Sequence, residues 1–269
     1  MQMTTNAFNL NNLRLAILID AENVPRNCIK GVMEEVAIYG TPTIKRIYGD
    51  WTSPVVAGWK ASLLENAITP IQQYSYTTGK NSSDSAMIID AMDILYTEKT
   101  DGFVIVSSDS DFTRLAIRLR EAGQRVIGIG ERKTPSAFIA ACDKFTYIEV
   151  IHATAEETKA EQEGIDQKTH VQHRGRPSGA PRQRGIKVPD DMVRLIADSV
   201  ADLAGDSGAV FMGELGNLIL KKQPDFDHRN FGYQSLSAMV KSIDRFETDF
   251  RQTTDPNIKH VFVRDLEAT

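Results

Sequence analysis

The sequence predicts an α/β protein, a mostly parallel sheet flanked by helices, followed by a smaller α+β unit. Three observations carry that expectation. Strand-like apolar runs alternate with segments of helical periodicity through roughly the first 150 residues. Two of those runs, Leu13 to Ile19 and Phe103 to Val106, are almost continuously apolar, as parallel strands covered on both faces are. Both runs lead into aspartates, Asp20 after the first and Asp109 and Asp111 after the second.

Taken in order, a polar tail precedes the first strand, Leu13 to Asp20. Asn27 is placed to cap a helix running to about Tyr39, with Ile29, Val32, Met33 and Val36 on one face and Gly40 as its stop. Thr43 to Tyr48 reads as a strand, Pro54 to Ala67 as a helix, and Pro70 to Tyr74 as a short strand opened by its proline. A polar loop, Ser75 to Ser83, leads to a helix from Asp84 to about Tyr96 with Met87, Ile88, Ala91 and Leu95 as its buried stripe. The run from Phe103 breaks into small hydroxyl residues and two aspartates, and Phe112 opens a helix marked by Leu115, Ile117 and Leu119. Gln124 to Gly130 is the next strand, Ser136 to Cys142 a helix, and Tyr147 to Val150 a last strand. Strands and helices alternating at this spacing imply βαβ crossovers within a first unit over residues 11–151.

Residues 152–187 change character. Up to Glu163 they are rich in Glu, Ala, Lys and Thr; from Lys168 to Lys187 there are six Lys or Arg, two His and no acid. Such a composition builds no core, so the stretch reads as a flexible basic linker. A plain tether and an arm for phosphate backbones fit it equally well. A second unit, 188–269, opens with Pro189 and Asp190 at the start of a helix with Val193, Ile196, Ala197, Val200 and Leu203 in register. Met212 to Lys221 and Ser235 to Ile243 are further helices, and Phe246 to Arg251 pairs with His260 to Arg264 across the turn residues Asp255-Pro-Asn257. Three helices and a hairpin suggest a winged-helix module.

Composition bounds the function. With 41% hydrophobic and 25% charged residues, the chain has enough apolar content for folded cores and no run near the roughly 20 apolar residues a membrane span needs. Its start lacks a basic region followed by an apolar one, so the cytoplasm is the expected location. Cys28 and Cys142 lack metal-ligand spacing and read as packing residues. The net charge of -5 counts against nucleic acid only as an average, since acids clustered at a metal site would produce it too.

In a sheet whose first strand neighbours the fourth across the topological switch point, Asp20 and the pair Asp109 and Asp111 come from adjacent strand ends. Asp84, at a helix start, can face the same crevice. Four carboxylates from three segments suit a hard divalent cation, Mg²⁺ or Mn²⁺, which takes oxygen ligands and keeps several waters. Zinc fits less well, as no His or Cys falls nearby. A metal so held can orient water for in-line attack on a phosphodiester. Asn23 is placed to bind the scissile phosphate or orient a ligand, and Lys80 to neutralise developing charge. Ser107, Ser108 and Ser110 are placed to donate hydrogen bonds to a carboxylate or phosphate. The plainer reading of Asp84, Ser110 and Asp111 is as helix caps. Asp90 and Asp93, six and nine residues after Asp84, fall on other faces of its helix and read as structural.

Leu18-Ile-Asp20-Ala-Glu-Asn23, Tyr48-Gly-Asp-Trp51, Lys80 to Asp84, Val106-Ser-Ser-Asp-Ser-Asp-Phe112 and Ala141-Cys-Asp-Lys-Phe145 together resemble the NYN domain, the LabA-like branch of the PIN-like ribonuclease fold. The resemblance implies a ribonuclease dependent on Mg²⁺ or Mn²⁺, with its acids at Asp20, Asp84, Asp109 and Asp111 and with Asn23 from the Asp-x-x-Asn turn. The chain departs from the pattern at Ser108, where members often have Gly, and by an extra residue between Lys80 and Asp84. Asp225-Phe226, Phe231 to Met239 and Phe246 resemble the OST-HTH or LOTUS domain, a winged helix associated with RNA and with protein partners. Lys221, Lys222, Arg229, Lys241 and Arg245 are its candidate phosphate contacts, and a solvated face explains each as well. Tyr76 and Trp51 are candidates for stacking on bases, with packing the plainer explanation.

The resulting expectation is a metal-dependent ribonuclease whose first unit cuts RNA while the linker and second unit hold RNA or a protein partner. Self-association as a homodimer stays open, and no membrane is involved. The rival is a catalytically inactive RNA-binding adaptor. A phosphomonoesterase fits less well, because the sequence has no phosphate-cradling glycine loop and no evident nucleophile with a partner lysine.

Overall fold

The computed structural model describes residues 13–74, 82–154, 187–205, 208–252 and 259–268. They fall in two compact units. In the first, six parallel strands form one sheet in the order β3-β2-β1-β4-β5-β6: β1 Leu13–Asp20, β2 Gly40–Gly49, β3 Thr69–Gln72, β4 Gly102–Val106, β5 Arg125–Gly130 and β6 Lys144–Tyr147. The order reverses between β1 and β4, so the expected switch point lies where the two aspartate-bearing strands meet. At the opposite end of these strands, Arg14 donates from its backbone and guanidinium to Asp101, fixing β1 against β4.

The strands carry apolar side chains to both faces, which explains their unbroken hydrophobic runs. Leu15, Ile17 and Ile19 of β1 pack with Val104 and Val106 against helix α1 (Ile29–Ala37) and α2 (Lys60–Asn66). Ala16, Leu18, Phe103 and Ile105 pack on the other face with α3 (Ser82–Tyr96), α4 (Thr113–Glu121) and α5 (Ser136–Ala141). Several boundaries differ from the sequence expectation. Asn27 lies inside a 3₁₀ turn, Arg26–Cys28, and no side chain caps α1. Gly40 opens β2 rather than stopping a helix, because a Cβ there would lie 2.2 Å from the Leu13 carbonyl oxygen. The helix expected from Pro54 is a 3₁₀ segment, Pro54–Trp59, before α2. The last strand ends at Tyr147, and residues 148–154 are helical.

The second unit contains α6 (Asp190–Leu203), β7 (Val210–Phe211), α7 (Met212–Lys222), a 3₁₀ turn His228–Phe231, α8 (Leu236–Lys241) and the strands β8 (Phe246–Gln252) and β9 (Lys259–Asp265). The expected hairpin forms, and β7 adds an antiparallel third strand to give the order β7-β9-β8. Ile196, Val200, Leu215, Ile219, Met239, Val240 and Val263 form its core. The turn Asp255 to Asn257 and most of the linker expected over 152–187 lie outside the described residues. No helix among the described residues is long and apolar enough to cross a membrane.

Candidate active site

All six parallel strands point their carboxyl ends to one edge, and the acids gather there. Asp20 ends β1 and is 2% exposed. Four donors hold its carboxylate. Oδ1 accepts from the backbone N–H groups of Glu22 (3.0 Å) and Asn23 (3.3 Å), and Oδ2 from Asn23 Nδ2 (2.8 Å) and Ser107 Oγ (2.8 Å). Asn23 and Ser107 thus direct their side chains to Asp20. Ser107 is fully buried, and its hydroxyl also accepts from the Asp109 backbone N–H at 3.1 Å. It links the turn after β4 to the end of β1.

Asp109 caps the 3₁₀ turn Ser110–Phe112, its Oδ1 accepting from the Asp111 N–H at 2.9 Å. Capping and membership of an acidic cluster therefore coincide in this residue. One carboxylate oxygen from each of Asp84, Asp109 and Asp111 lies within 4.8 Å of the others. Asp84, in the first turn of α3, is 7% exposed and accepts no hydrogen bond among the described residues. Burial, and then the charges of Asp20, Asp109, Asp111 and Glu22, push its carboxyl up from the ordinary 3.8 to about 7. Asp20 stands outside the close trio but leads the charges acting on Asp84. Glu22 was not anticipated; its place inside the Asp-x-x-Asn turn is the signal that locates it.

Ser110 is exposed in its turn. Ser108, the departure from the family pattern, is 8% exposed and its Oγ accepts from the Glu131 N–H at 2.9 Å. It has no positive φ, so the turn accepts serine without left-handed strain. Lys80 and Tyr76 lie outside the described residues. Trp51 is half-buried against the core, and its Nε1 donates to the Ile71 carbonyl at 2.9 Å, so packing accounts for it. Asp90 accepts from Arg46 and from the Tyr48 hydroxyl. Both cysteines are buried, and desolvation pushes their thiols up to about 12, which makes them poor nucleophiles.

In the second unit, three of the five candidate cations are already paired: Lys222 with Asp202, Arg229 with Asp227, and Arg245 with Asp265, each at 2.7 Å. Lys221 and Lys241 are exposed.

The model of the NYN domain matches residues 14–149, and that of the OST-HTH/LOTUS domain matches residues 187–258. Among solved structures, a protein of unknown function from Vibrio parahaemolyticus is 20% identical with a TM-score of 0.44, covering 51% of this chain and 94% of its own. An uncharacterized protein from Nitrosomonas europaea is 25% identical with a TM-score of 0.29, covering 37% of this chain and 95% of its own. No curated protein matches the chain. The six-stranded parallel sheet, the acids at its carboxyl edge and the match over residues 14–149 lead to one conclusion: the chain belongs to the NYN domain family, within the PIN-like nuclease superfamily, and carries an OST-HTH/LOTUS domain after it.

Proposed function

We propose that the chain is a ribonuclease that hydrolyses RNA phosphodiester bonds with Mg²⁺ or Mn²⁺ at the carboxyl edge of its parallel sheet. Residues 11–151 carry the reaction in this reading. The basic linker at 152–187 and the winged-helix unit at 188–269 hold RNA or a protein partner. The observation that carries the proposal is Asp84, a buried carboxylate without a hydrogen-bond partner among the described residues, set beside Asp109 and Asp111. Three carboxylates so close repel one another, and Asp84 near neutral pH is held protonated or must be compensated. An all-oxygen donor set fits a hard divalent cation.

Asp84, Asp109 and Asp111 would hold such a cation, with Asp20 beside them. When bound, it supplies charge neutralisation and a water of lowered pKa. The chain's own contribution is preorganisation. Four donors fix the Asp20 carboxylate in direction, so it can accept a hydrogen bond from a water at the same place in every turnover. Ser107 and Asn23 position Asp20, and the exposed Ser110 is available to a phosphate oxygen. Lys80, four residues before Asp84 in sequence, is the proposed cation for developing charge.

The test is cleavage of labelled RNA with Mn²⁺ or Mg²⁺ by the wild type and by Asp109→Asn. Asparagine keeps an acceptor for the Asp111 N–H and caps as well as aspartate does, so the turn survives while a charge is lost. Activity should fall by at least about 100-fold, the scale expected for removing a metal ligand. A wild type that never cuts, or a variant that cuts equally well, sinks the proposal and leaves an RNA-binding adaptor.

A further inference from the structure

Asp84 accepts no hydrogen bond among the described residues, so its place in the acidic cluster is inherited from the helix that carries it. What fixes that helix is then a functional question. The apolar face of α3, Met87, Ala91, Ile94 and Leu95, packs on the sheet but gives no directional contact. A directional contact comes from Asp90. One of its oxygens accepts from Arg46 Nη1 and the other from the Tyr48 hydroxyl, both from β2.

Tyr48 is no ordinary neighbour of the site. It is the register partner of Asp20 across the β1–β2 pair, and its carbonyl accepts from the Ala21 N–H at 3.0 Å. Its side chain is fully buried, and among buried tyrosines a hydroxyl needs a partner. The rung that bears Asp20 therefore reaches α3 through Tyr48 and Asp90. Resting on the ribonuclease reading above, we infer that Asp90, clamped between Arg46 and Tyr48, is a positioning residue that sets the rotation and axial height of α3 and so places Asp84 relative to Asp20.

The geometry gives the device its leverage. Asp90 follows Asp84 by six residues, about 9 Å along the axis and about 240° around it, so it grips a different face from the one Asp84 uses. A carboxylate about 5–6 Å from a helix axis moves about 2 Å when the helix turns by about 20°. Ligand distances in a metal site tolerate only about 0.2 Å. A small rotation thus removes Asp84 from the cluster while leaving the apolar face of α3 buried.

The experiment uses the full chain with Tyr48→Phe, Asp90→Asn and both together. Mn²⁺ affinity is measured by titration calorimetry at a temperature where circular dichroism shows each variant folded. Metal-free ¹H–¹⁵N spectra follow the amides of Asp84, Ser85 and Asp109. Each single variant is expected to lose about 10-fold or more in Mn²⁺ affinity, the scale of an outer-shell partner. The double variant should be little worse, since the two residues form one device. The amides at the start of α3 should shift. A matched core variant on β5, Val126→Ala, should lower the melting temperature and keep wild-type affinity. Affinity within about twofold of wild type with unmoved amides, or an equal loss in Val126→Ala, overturns the inference. If the wild type binds no Mn²⁺, the metal reading falls and the amide shifts alone decide the positioning role: movement supports it, and unmoved amides end it.

Discussion

At Asp84, protonation, stability and site occupancy are one problem. Its carboxyl is raised to about 7, above the ordinary 3.8 it regains on unfolding. Between those values the folded chain keeps the proton and the unfolded chain has released it, so stability falls as pH rises through this window. The whole effect is at most about 4 kcal/mol, at 1.36 kcal/mol per pKa unit. Thermal melts of the metal-free protein should therefore show a midpoint that declines from about pH 4 to about pH 7 and levels off above it. Asp84→Asn should flatten that decline and be the more stable protein at pH 8. Adding Mn²⁺ at pH 8 should reverse the ranking, raising wild type and leaving the variant unmoved; a wild-type midpoint independent of pH would contradict this account. The acids themselves were legible from sequence because each follows a strand or opens a helix. Their partners were legible only as alternatives, a carboxylate or a phosphate. Asn23 reaches Asp20 within its own turn, whereas Ser107 turns to Asp20 only because β1 and β4 lie side by side.

Among the elements, β1 has the ends the sequence predicts, but the last strand lies at Lys144–Tyr147 rather than Tyr147 to Val150, and several other ends differ because they are fixed by close approaches that periodicity does not record. Gly40 is the example: helical spacing makes it a stop, while its contact with Leu13 makes it the first residue of β2. Two-residue β7 is too short for any pattern to reveal. Gly130, the last residue of β5, carries a closer consequence for the site. A Cβ there would meet the Ser107 carbonyl oxygen at 2.6 Å, the Thr134 hydroxyl at 2.8 Å and the Phe145 ring at 3.0 Å. Gly130→Ala must push on the backbone of Ser107, whose hydroxyl holds both Asp20 and the Asp109 N–H. The substitution is expected to cost about 1–3 kcal/mol in denaturant unfolding, the usual range for overpacking, and to weaken Mn²⁺ binding as well. Gly205→Ala, which meets nothing within 4 Å, serves as the comparison and should stay within about 0.5 kcal/mol. Equal effects of the two would refute the packing argument.

For the molecule as a whole, a mostly parallel sheet was legible because alternating strands and helices with right-handed crossovers leave few arrangements. The expected neighbours β1 and β4 are observed, and so is the hairpin of the second unit. The second unit's five candidate cations were legible only as charges, since their ion pairs join residues as far apart in sequence as Asp202 and Lys222. One feature of the sheet also sets how the site comes apart. Leu15 to Ile19 and Phe103 to Val106 have no exposed side-chain surface, and each of their strands is paired on both sides. Their amides can exchange with solvent only when the whole unit opens, whereas α3 lies on the outside with Ile89 63% and Tyr96 73% exposed. Under mild heating, hydrogen–deuterium exchange should thus reach α3 while β1 and β4 remain protected. Asp20 and Asp109 belong to the last part of the unit to open and Asp84 to an earlier one, so the cluster is dismantled from the Asp84 side while the sheet still stands.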